Sequence, residues 1–169
     1  MKKLGIIICG LVLMMGCERN IYRFTEGSVY GTVYHVSYQS EVDYTVEIRQ
    51  EMERVNQSLS MFNKESVIAR WNRGESERVD SLFVTMYEKA REVYEATGGG
   101  FDITVAPLVN AWGFGFKNEK LPSDGKIDSL LQYVGMDKVQ LEGVRLVKLV
   151  EGVQIDASSI AKGLGVDLV

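Results

Sequence analysis

Side chains alternate in character along residues 29–38, and this alternation predicts a β-strand. One face carries Tyr30, Thr32, Tyr34, Val36 and Tyr38, and the other carries Gly31, Val33, His35 and Ser37. A period of two is that of an extended chain, whose successive side chains point to opposite faces. The preceding stretch, residues 17–27, is polar and is expected to form an irregular lead into the strand.

Two later stretches have the period of an amphipathic helix. In residues 43–62 the apolar positions Ile48, Met52, Val55 and Leu59 recur at spacings of four, three and four. Asp43 is a candidate N-cap for this helix, with Glu47 in the first turn. Residues 81–96 predict a second helix, which the glycines after Thr97 end; its buried stripe is Leu82, Met86, Ala90 and Val93. The polar residues 63–77 between them are expected to be irregular.

The remaining pattern is shorter in period. Residues 122–125 predict a turn, and a short helix then runs to Gly135; its apolar positions are Ile127, Leu130, Leu131 and Val134. Residues 138–156 alternate between breaks at 142–143 and 151–152, which predicts a β-meander. A last helix is expected to start after Asp156 and to be still in progress at Val169, the last residue of the sequence. Helices between an early strand and a late meander favour an α+β fold.

The first residues have the pattern of a bacterial lipoprotein signal. Lys2 and Lys3 precede a short apolar run, and Gly16 precedes Cys17. The run is too short for a membrane span. We expect residues 1–16 to be removed and Cys17 to carry a lipid that anchors the protein to the inner membrane on its periplasmic side. The alternative is an ordinary secretory signal with an incidental cysteine.

Composition narrows the chemistry further. The net charge of -4 argues against a nucleic-acid partner. Cys9 and Cys17 are the only cysteines, so the mature body has no disulfide and no thiol nucleophile. With His35 as the only histidine, neither a Ser-His-Asp triad nor a Cys/His metal cluster is available. Any metal ion is therefore expected to be a hard one held by oxygen.

Two segments are candidates for a binding site. In residues 97–116, "TGGGFDITVAPLVNAWGFGF", glycines stand beside aromatic residues. They form either a helix C-cap followed by core, or a surface that receives a flat aromatic ligand. In residues 154–163, "QIDASSIAKG", Asp156 is either an N-cap or part of an anion site to which Lys162 contributes its charge.

Four stretches, in order, resemble motifs of the FAD:protein FMN transferases, the ApbE family of flavin transferases. They are "VYGTVYHVSY", "SLSMFNKESVIARWN", "GGGFDITVAPLVNAWGFG" and "IDASSIAKGLGVD". The last two are long and specific. The resemblance implies an α+β, ApbE-like (T-fold-related) domain over residues 28–169, of which this chain is the N-terminal part.

The resemblance also implies a reaction. Members bind FAD, use Mg²⁺ to cleave its pyrophosphate, place FMN on a Thr or Ser hydroxyl of an acceptor protein and release AMP. Acceptors are envelope proteins such as subunits of sodium-pumping quinone reductases and related electron-transport complexes. Two alternatives stay open: a pyrophosphatase that releases free FMN and AMP, and a flavin-binding lipoprotein without catalysis.

Site residues carry over by motif position. Gly100, Phe101, Asp102, Asp156 and Lys162 are expected to contact FAD, with Lys162 near the phosphates. The residue whose carbonyl ligates Mg²⁺ in the family is Ser159 here. Two further flavin-lining positions depart from the pattern, because Tyr30 replaces a Met and Phe62 replaces a Tyr. The family's side-chain Mg²⁺ ligands belong to a C-terminal half that this sequence does not contain, so the chain alone is expected to be inactive.

Overall fold

A β-hairpin opens the part of the chain that the structure describes. This structure is a computed structural model, and it describes residues 20–114 and 121–169. Strand β1 (Tyr22–Val29) pairs antiparallel with β2 (Thr32–Gln39), with Val29 opposite Thr32. Tyr30 and Gly31 form the two-residue turn with φ values of 54° and 72°, the positive pair of a type I′ turn.

The hairpin corrects two predictions. The expected single strand over residues 29–38 contains the turn, and most of the expected irregular lead belongs to β1. The alternation over residues 32–38 belongs to β2 alone, and the Tyr30-Gly31 pair lacks the Asn-Gly or Asp-Gly signature that marks such a turn in a sequence.

Helix α1 (Thr45–Leu59) follows the hairpin and buries Ile48, Val55 and Leu59, as the spacing predicted. The proposed N-cap is wrong, because the cap position is Tyr44. Asp43 lies one residue earlier, where its Oδ1 accepts hydrogen bonds from the Thr45 amide and the Tyr38 hydroxyl, each at 3.0 Å. The Asp43 side chain therefore fixes the turn before the helix, and the cap position itself is occupied by Tyr44.

Helix α2 (Val67–Asn72) lies in the stretch expected to be irregular. Ser66 starts it, since the serine Oγ accepts the Ala69 amide at 3.1 Å. Ile68 and Trp71 are fully buried on its inner face. Six residues are too few for a helical period to stand out, so only the cap and the apolar pair signalled this helix.

Helix α3 (Ser81–Ala96) has the bounds that the sequence predicted, and Leu82, Met86 and Ala90 are buried. Its N-cap Asp80 accepts the Phe83 amide at 2.8 Å and also the hydroxyl of the buried Ser58 of α1 at 2.8 Å. One carboxylate thus caps α3 and ties it to α1. The core around these helices contains Trp71, Phe83, Met86, Tyr87, Ile103, Leu146, Val153 and Ile155.

Short elements complete the described chain. They are α4 (Ala106–Ala111), α5 (Asp124–Leu131), a 3₁₀ turn (Met136–Lys138), β3 (Val139–Glu142), β4 (Arg145–Lys148) and α6 (Ala161–Asp167). Helix α5 begins inside the turn predicted over residues 122–125 and ends before Val134. In the described ranges, no helix is both long and apolar enough to cross a membrane.

The predicted meander is a two-stranded hairpin. β3 pairs antiparallel with β4, and the third predicted strand contributes a single bridge, from Gln154 to Val105. The backbone beyond residue 152 pairs instead with the loop before α4, where the Asp156 amide donates to the Ile103 carbonyl at 2.7 Å. Helices packed with two small antiparallel sheets confirm the α+β fold class.

Candidate functional site

A cavity of about 250 Å³ opens where the first hairpin turn, the end of α1 and the start of α6 meet. It brings together three of the sequence-predicted residues, Tyr30, Phe62 and Lys162. The full lining is Tyr30, Val55, Leu59, Ser60, Met61, Phe62, Phe114, Ser158, Ala161 and Lys162. Three aromatic side chains and one lysine around an apolar floor suit a flat aromatic ligand that carries negative charge.

Tyr30 forms one wall and is held at its hydroxyl, which donates to the Met52 carbonyl of α1 at 2.9 Å. Burial, and secondarily the Glu53 carboxylate, raises the pKa of Tyr30 to about 12. The hydroxyl therefore stays protonated at neutral pH and keeps its bond to α1. The hydroxyl that Tyr30 has and the family's usual Met lacks is thus bound within the protein in this structure.

Phe62 lies on a loop that two serines fix. The Ser60 Oγ accepts the backbone amides of Phe62 and Asn63 at 3.3 and 3.2 Å. The buried Ser66 donates its hydroxyl to the Ser60 carbonyl at 2.7 Å. Phe62 itself is 65% exposed, so the loop presents its ring to the cavity while its own backbone is tied down.

Asn72, the last residue of the same motif, connects this region to the second candidate segment. Its amide donates to the Ile155 carbonyl and accepts the Ile155 amide, both at 2.8 Å. Ile155 is fully buried, so the pair satisfies two backbone groups that water does not reach. The sequence resemblance contained Ser60, Ser66 and Asn72 without assigning them these supporting roles.

The segment after Ile155 brings Lys162 to the cavity. Asp156 accepts the Ser158 amide at 2.7 Å, which makes a local turn, and α6 begins five residues later, with Ile160 at its cap position. The helix therefore starts later than predicted, and Asp156 is not its N-cap. Ser159 and Lys162 are exposed, and Lys162 lines the cavity.

Gly100, Phe101 and Asp102 do not line this cavity, although Phe114 of the same motif does. Asp102 Oδ1 accepts both the amide and the hydroxyl of Thr104, at 2.7 and 2.6 Å. The fully buried Thr104 Oγ1 in turn accepts the Gly135 amide at 2.6 Å. Gly100 and Phe101 continue the helix-ending turn through bonds to Thr97. Phe116 of this motif, like Cys17, is outside the described residues.

Two larger cavities adjoin the first. One of about 510 Å³ shares Met61 and Phe62 with it and is lined by amides of Asn110 and Gln154. The other, of about 610 Å³, shares Tyr30 and Lys162 and follows β2. Phe114 belongs to the segment of glycines and aromatic residues that the sequence offered as a possible surface for a flat ligand, and it lines the first cavity. The lining from α1 was not predicted as site, because Val55 and Leu59 on a helical stripe are indistinguishable from core in the sequence.

A metal site needs converging donors. Within residues 20–114 and 121–169, no three His, Cys, Asp or Glu side chains come together in a way that would hold an ion. The Oδ1 atoms of Asp102 and Asp156 are both engaged by neighbouring groups. The described side chains by themselves therefore do not fit a Mg²⁺ site.

Comparison with known proteins gives relatives over the whole chain. The chain is 30% identical over 181 residues to the FAD:protein FMN transferase of Vibrio cholerae, covering 100% of this chain and 54% of the relative. It is 33% identical over 190 residues to that of Haemophilus influenzae, with coverages of 100% and 55%. The chain thus spans about half the length of the curated relatives it matches.

Solved structures agree with the fold. The flavin transferase ApbE from Vibrio cholerae superposes with a TM-score of 0.82 at 31% identity, covering 88% of this chain and 52% of that one. The apo form of the Pseudomonas stutzeri flavinyl transferase ApbE gives 0.81 at 28% identity, with coverages of 88% and 51%. The model of the ApbE family matches residues 30–169. The chain belongs to the ApbE family.

Proposed function

We propose that the protein is a Mg²⁺-dependent FAD:protein FMN transferase, to which this chain contributes the flavin-binding wall. The observation that carries the proposal is the cavity itself, in which Tyr30, Phe62 and Phe114 stand around an apolar floor with Lys162 at the same opening. A flavin ring needs aromatic and apolar walls, and its phosphate needs a cation. Relatives named for this reaction support the assignment.

The proposed reaction is a phosphoryl transfer. A Thr or Ser hydroxyl oxygen of the acceptor protein forms a bond to the phosphorus on the FMN side of FAD. The bond from that phosphorus to the bridging oxygen breaks, AMP leaves with the bonding electrons, and the hydroxyl proton passes to solvent water. Positioning and charge neutralisation dominate such reactions. Here the aromatic wall holds the flavin and Lys162 neutralises phosphate charge.

The volume of the cavity limits what it receives. About 250 Å³ lies slightly below the roughly 300–1,000 Å³ of typical ligand pockets. It suits the flavin ring better than the whole dinucleotide. The remainder of FAD then extends past Lys162 or past Phe62, where the neighbouring cavities begin.

Location and partners form the second part of the proposal. A lipid on Cys17 would hold the protein on the periplasmic side of the inner membrane. The acceptor would be an envelope protein, such as a subunit of a sodium-pumping quinone reductase or a related electron-transport complex. The basis is the basic, apolar and Gly-Cys order of residues 2–17, together with the family resemblance.

Product analysis tests the reaction. The protein from its complete gene is incubated with FAD, Mg²⁺ and an acceptor protein, and both AMP and the mass of the acceptor are measured. The proposal predicts one AMP released per FMN attached. Lys162→Met should slow both at least tenfold, since a charged hydrogen bond contributes about 1.5–3 kcal/mol, whereas the exposed Lys126→Met on α5 should not. Free FMN with AMP would indicate a pyrophosphatase, and bound but intact FAD would indicate a binding protein.

A further inference from the structure

Tyr30 is fixed at three points. Its backbone occupies the first position of the type I′ turn with φ 54°, a conformation that non-glycine residues adopt at a cost. Its hydroxyl is bound to the Met52 carbonyl of α1 at 2.9 Å. Its ring packs against the core cluster. With these three constraints, the Tyr30 ring cannot shift easily to make room for a side chain packed against it.

The neighbour is Gly165 of α6, which is buried. A Cβ built on Gly165 would lie 3.2 Å from the Tyr30 hydroxyl oxygen, with the nearest ring carbons at 3.7 and 3.8 Å. The hydroxyl alone makes the contact tight, because the ring carbons are at ordinary van der Waals distances. The missing side chain of Gly165 therefore lets α6 lie directly against Tyr30.

The same helix carries Lys162, one turn before Gly165. Helical residues three apart lie about 4.5 Å apart along the axis and move together. Tyr30 and Lys162 line the same cavity. The distance between α6 and the Tyr30 ring consequently sets how far the Lys162 ammonium group stands from the flavin wall.

We propose that Tyr30 is a positioning residue for Lys162. Its ring fixes the position of α6, which can lie against the ring because Gly165 has no side chain. This position of α6 holds Lys162 where a flavin phosphate binds. The inference rests on the proposed function and deepens it. It assigns Tyr30 a role through another residue, in place of a direct hydrogen bond to flavin. It also makes Tyr30 and Gly165 a matched pair.

The first test is a double-mutant cycle in urea unfolding, which uses no ligand. Gly165→Ala is compared with Gly163→Ala, a control on the same helix whose added Cβ meets nothing within 4 Å. Alanine in a helix is favoured over glycine, by about four- to fivefold in the unfolding equilibrium constant. We expect Gly163→Ala to show this gain and Gly165→Ala to lose it. In a Tyr30→Phe background, which removes the crowding oxygen, Gly165→Ala should recover the gain.

The second test compares riboflavin, which has no phosphate, with FMN, which has one. We expect Gly165→Ala to weaken FMN binding at least threefold more than riboflavin binding. Lys162→Met should show the same preference more strongly, with a loss of FMN affinity of about tenfold or more. In the Tyr30→Phe background, adding Gly165→Ala should leave the ratio of the two affinities unchanged. Flavin fluorescence titration gives both affinities.

Three results would overturn the inference. Gly165→Ala and Gly163→Ala could behave alike in the unfolding cycle, which would show that the ring does not limit α6. Gly165→Ala could weaken riboflavin and FMN binding equally, which would show that the contact between Tyr30 and α6 affects the flavin-ring site and not the position of Lys162. A wild-type protein that binds neither flavin would remove the proposed function and the phosphate part of this inference, while the unfolding cycle would still decide whether Tyr30 seats α6.

Discussion

At the scale of single residues, several predicted or motif side chains use their polar atoms to hold other parts of the protein. Asn72 pairs with both backbone groups of Ile155, Asp102 holds Thr104, and the Tyr30 hydroxyl is bound to Met52. The family resemblance places Asp102 and Tyr30 at FAD, and the structure shows which of their polar atoms the protein already uses. Ring contacts by Tyr30 remain open to flavin, because it lines the cavity.

Replacing Asn72 should be strongly destabilising. Asn72→Ala leaves the amide and the carbonyl of the fully buried Ile155 without partners. Unsatisfied buried polar groups cost about 1–3 kcal/mol each, so for these two groups we expect a loss of about 2–6 kcal/mol in the free energy of unfolding. Urea unfolding measures it. Asn56→Ala, whose amide bonds only the exposed Glu53 side chain at 3.3–3.4 Å, is the control; equal losses would refute the role of Asn72.

Tyr30 should make stability fall at high pH. Its ordinary pKa is 10.0 and burial raises the folded pKa to about 12. The unfolded chain therefore loses this proton first, the folded state binds more protons, and stability declines as the pH rises from 10 to 12. Tyr30→Phe should be less stable below pH 10 and should decline less over that window. Parallel curves for the two proteins, followed by thermal unfolding, would contradict the raised pKa.

At the scale of elements, the long periodic helices were predictable and the short elements were not. Helix α3 has the predicted bounds because sixteen residues carry a clear apolar stripe between Asp80 and the glycines. Helix α2 depends instead on one cap and on tertiary burial of Trp71. The prediction of a third meander strand is wrong because the amides of residues 155 and 156 donate to Asn72 and Ile103, which are distant in sequence, and not to β4.

The cap of α2 gives a prediction at this scale. Ser66→Ala removes the bond from the Ala69 amide and the bond to the Ser60 carbonyl. We expect a loss of about 1.5–3 kcal/mol in the free energy of unfolding, because the Ser66 side chain that makes both bonds is fully buried. Ser123→Ala at the N-cap of α5 is the matched control, since that side chain makes no cap hydrogen bond. Similar thermal unfolding midpoints for the two variants would show that the Ser66 hydroxyl does not hold α2.

At the scale of the whole molecule, the fold and the family follow from the sequence, but the assembly of the site does not. Motif positions identified Tyr30, Phe62 and Lys162, which the structure brings to one cavity. They did not separate these residues from Gly100, Phe101 and Asp102, which do not line it. That distinction depends on how α6 and the hairpin pack, and packing between distant segments leaves no periodic signal in the chain.

The proposed lipid anchor is a property of the whole molecule. Cys17→Ala removes the only thiol at the expected processing site. We expect the protein to move from the membrane fraction to the soluble periplasmic fraction, because its anchor is lost. Immunoblots of fractionated cells measure this, with Cys9→Ala, inside the expected signal, as the control. A protein that stays in the membrane fraction after Cys17→Ala would argue against lipidation there.

The central claim is that the cavity beside Tyr30, Phe62 and Lys162 is the flavin site. An FAD titration followed by flavin fluorescence tests it most directly, with Phe62→Ala compared with Phe24→Ala. Phe24 is 77% exposed on β1 and does not line the cavity. Aromatic stacking contributes about 1–3 kcal/mol, so the account predicts at least a fivefold loss of FAD affinity for Phe62→Ala and none for Phe24→Ala. Unchanged affinity in both variants would place the flavin elsewhere.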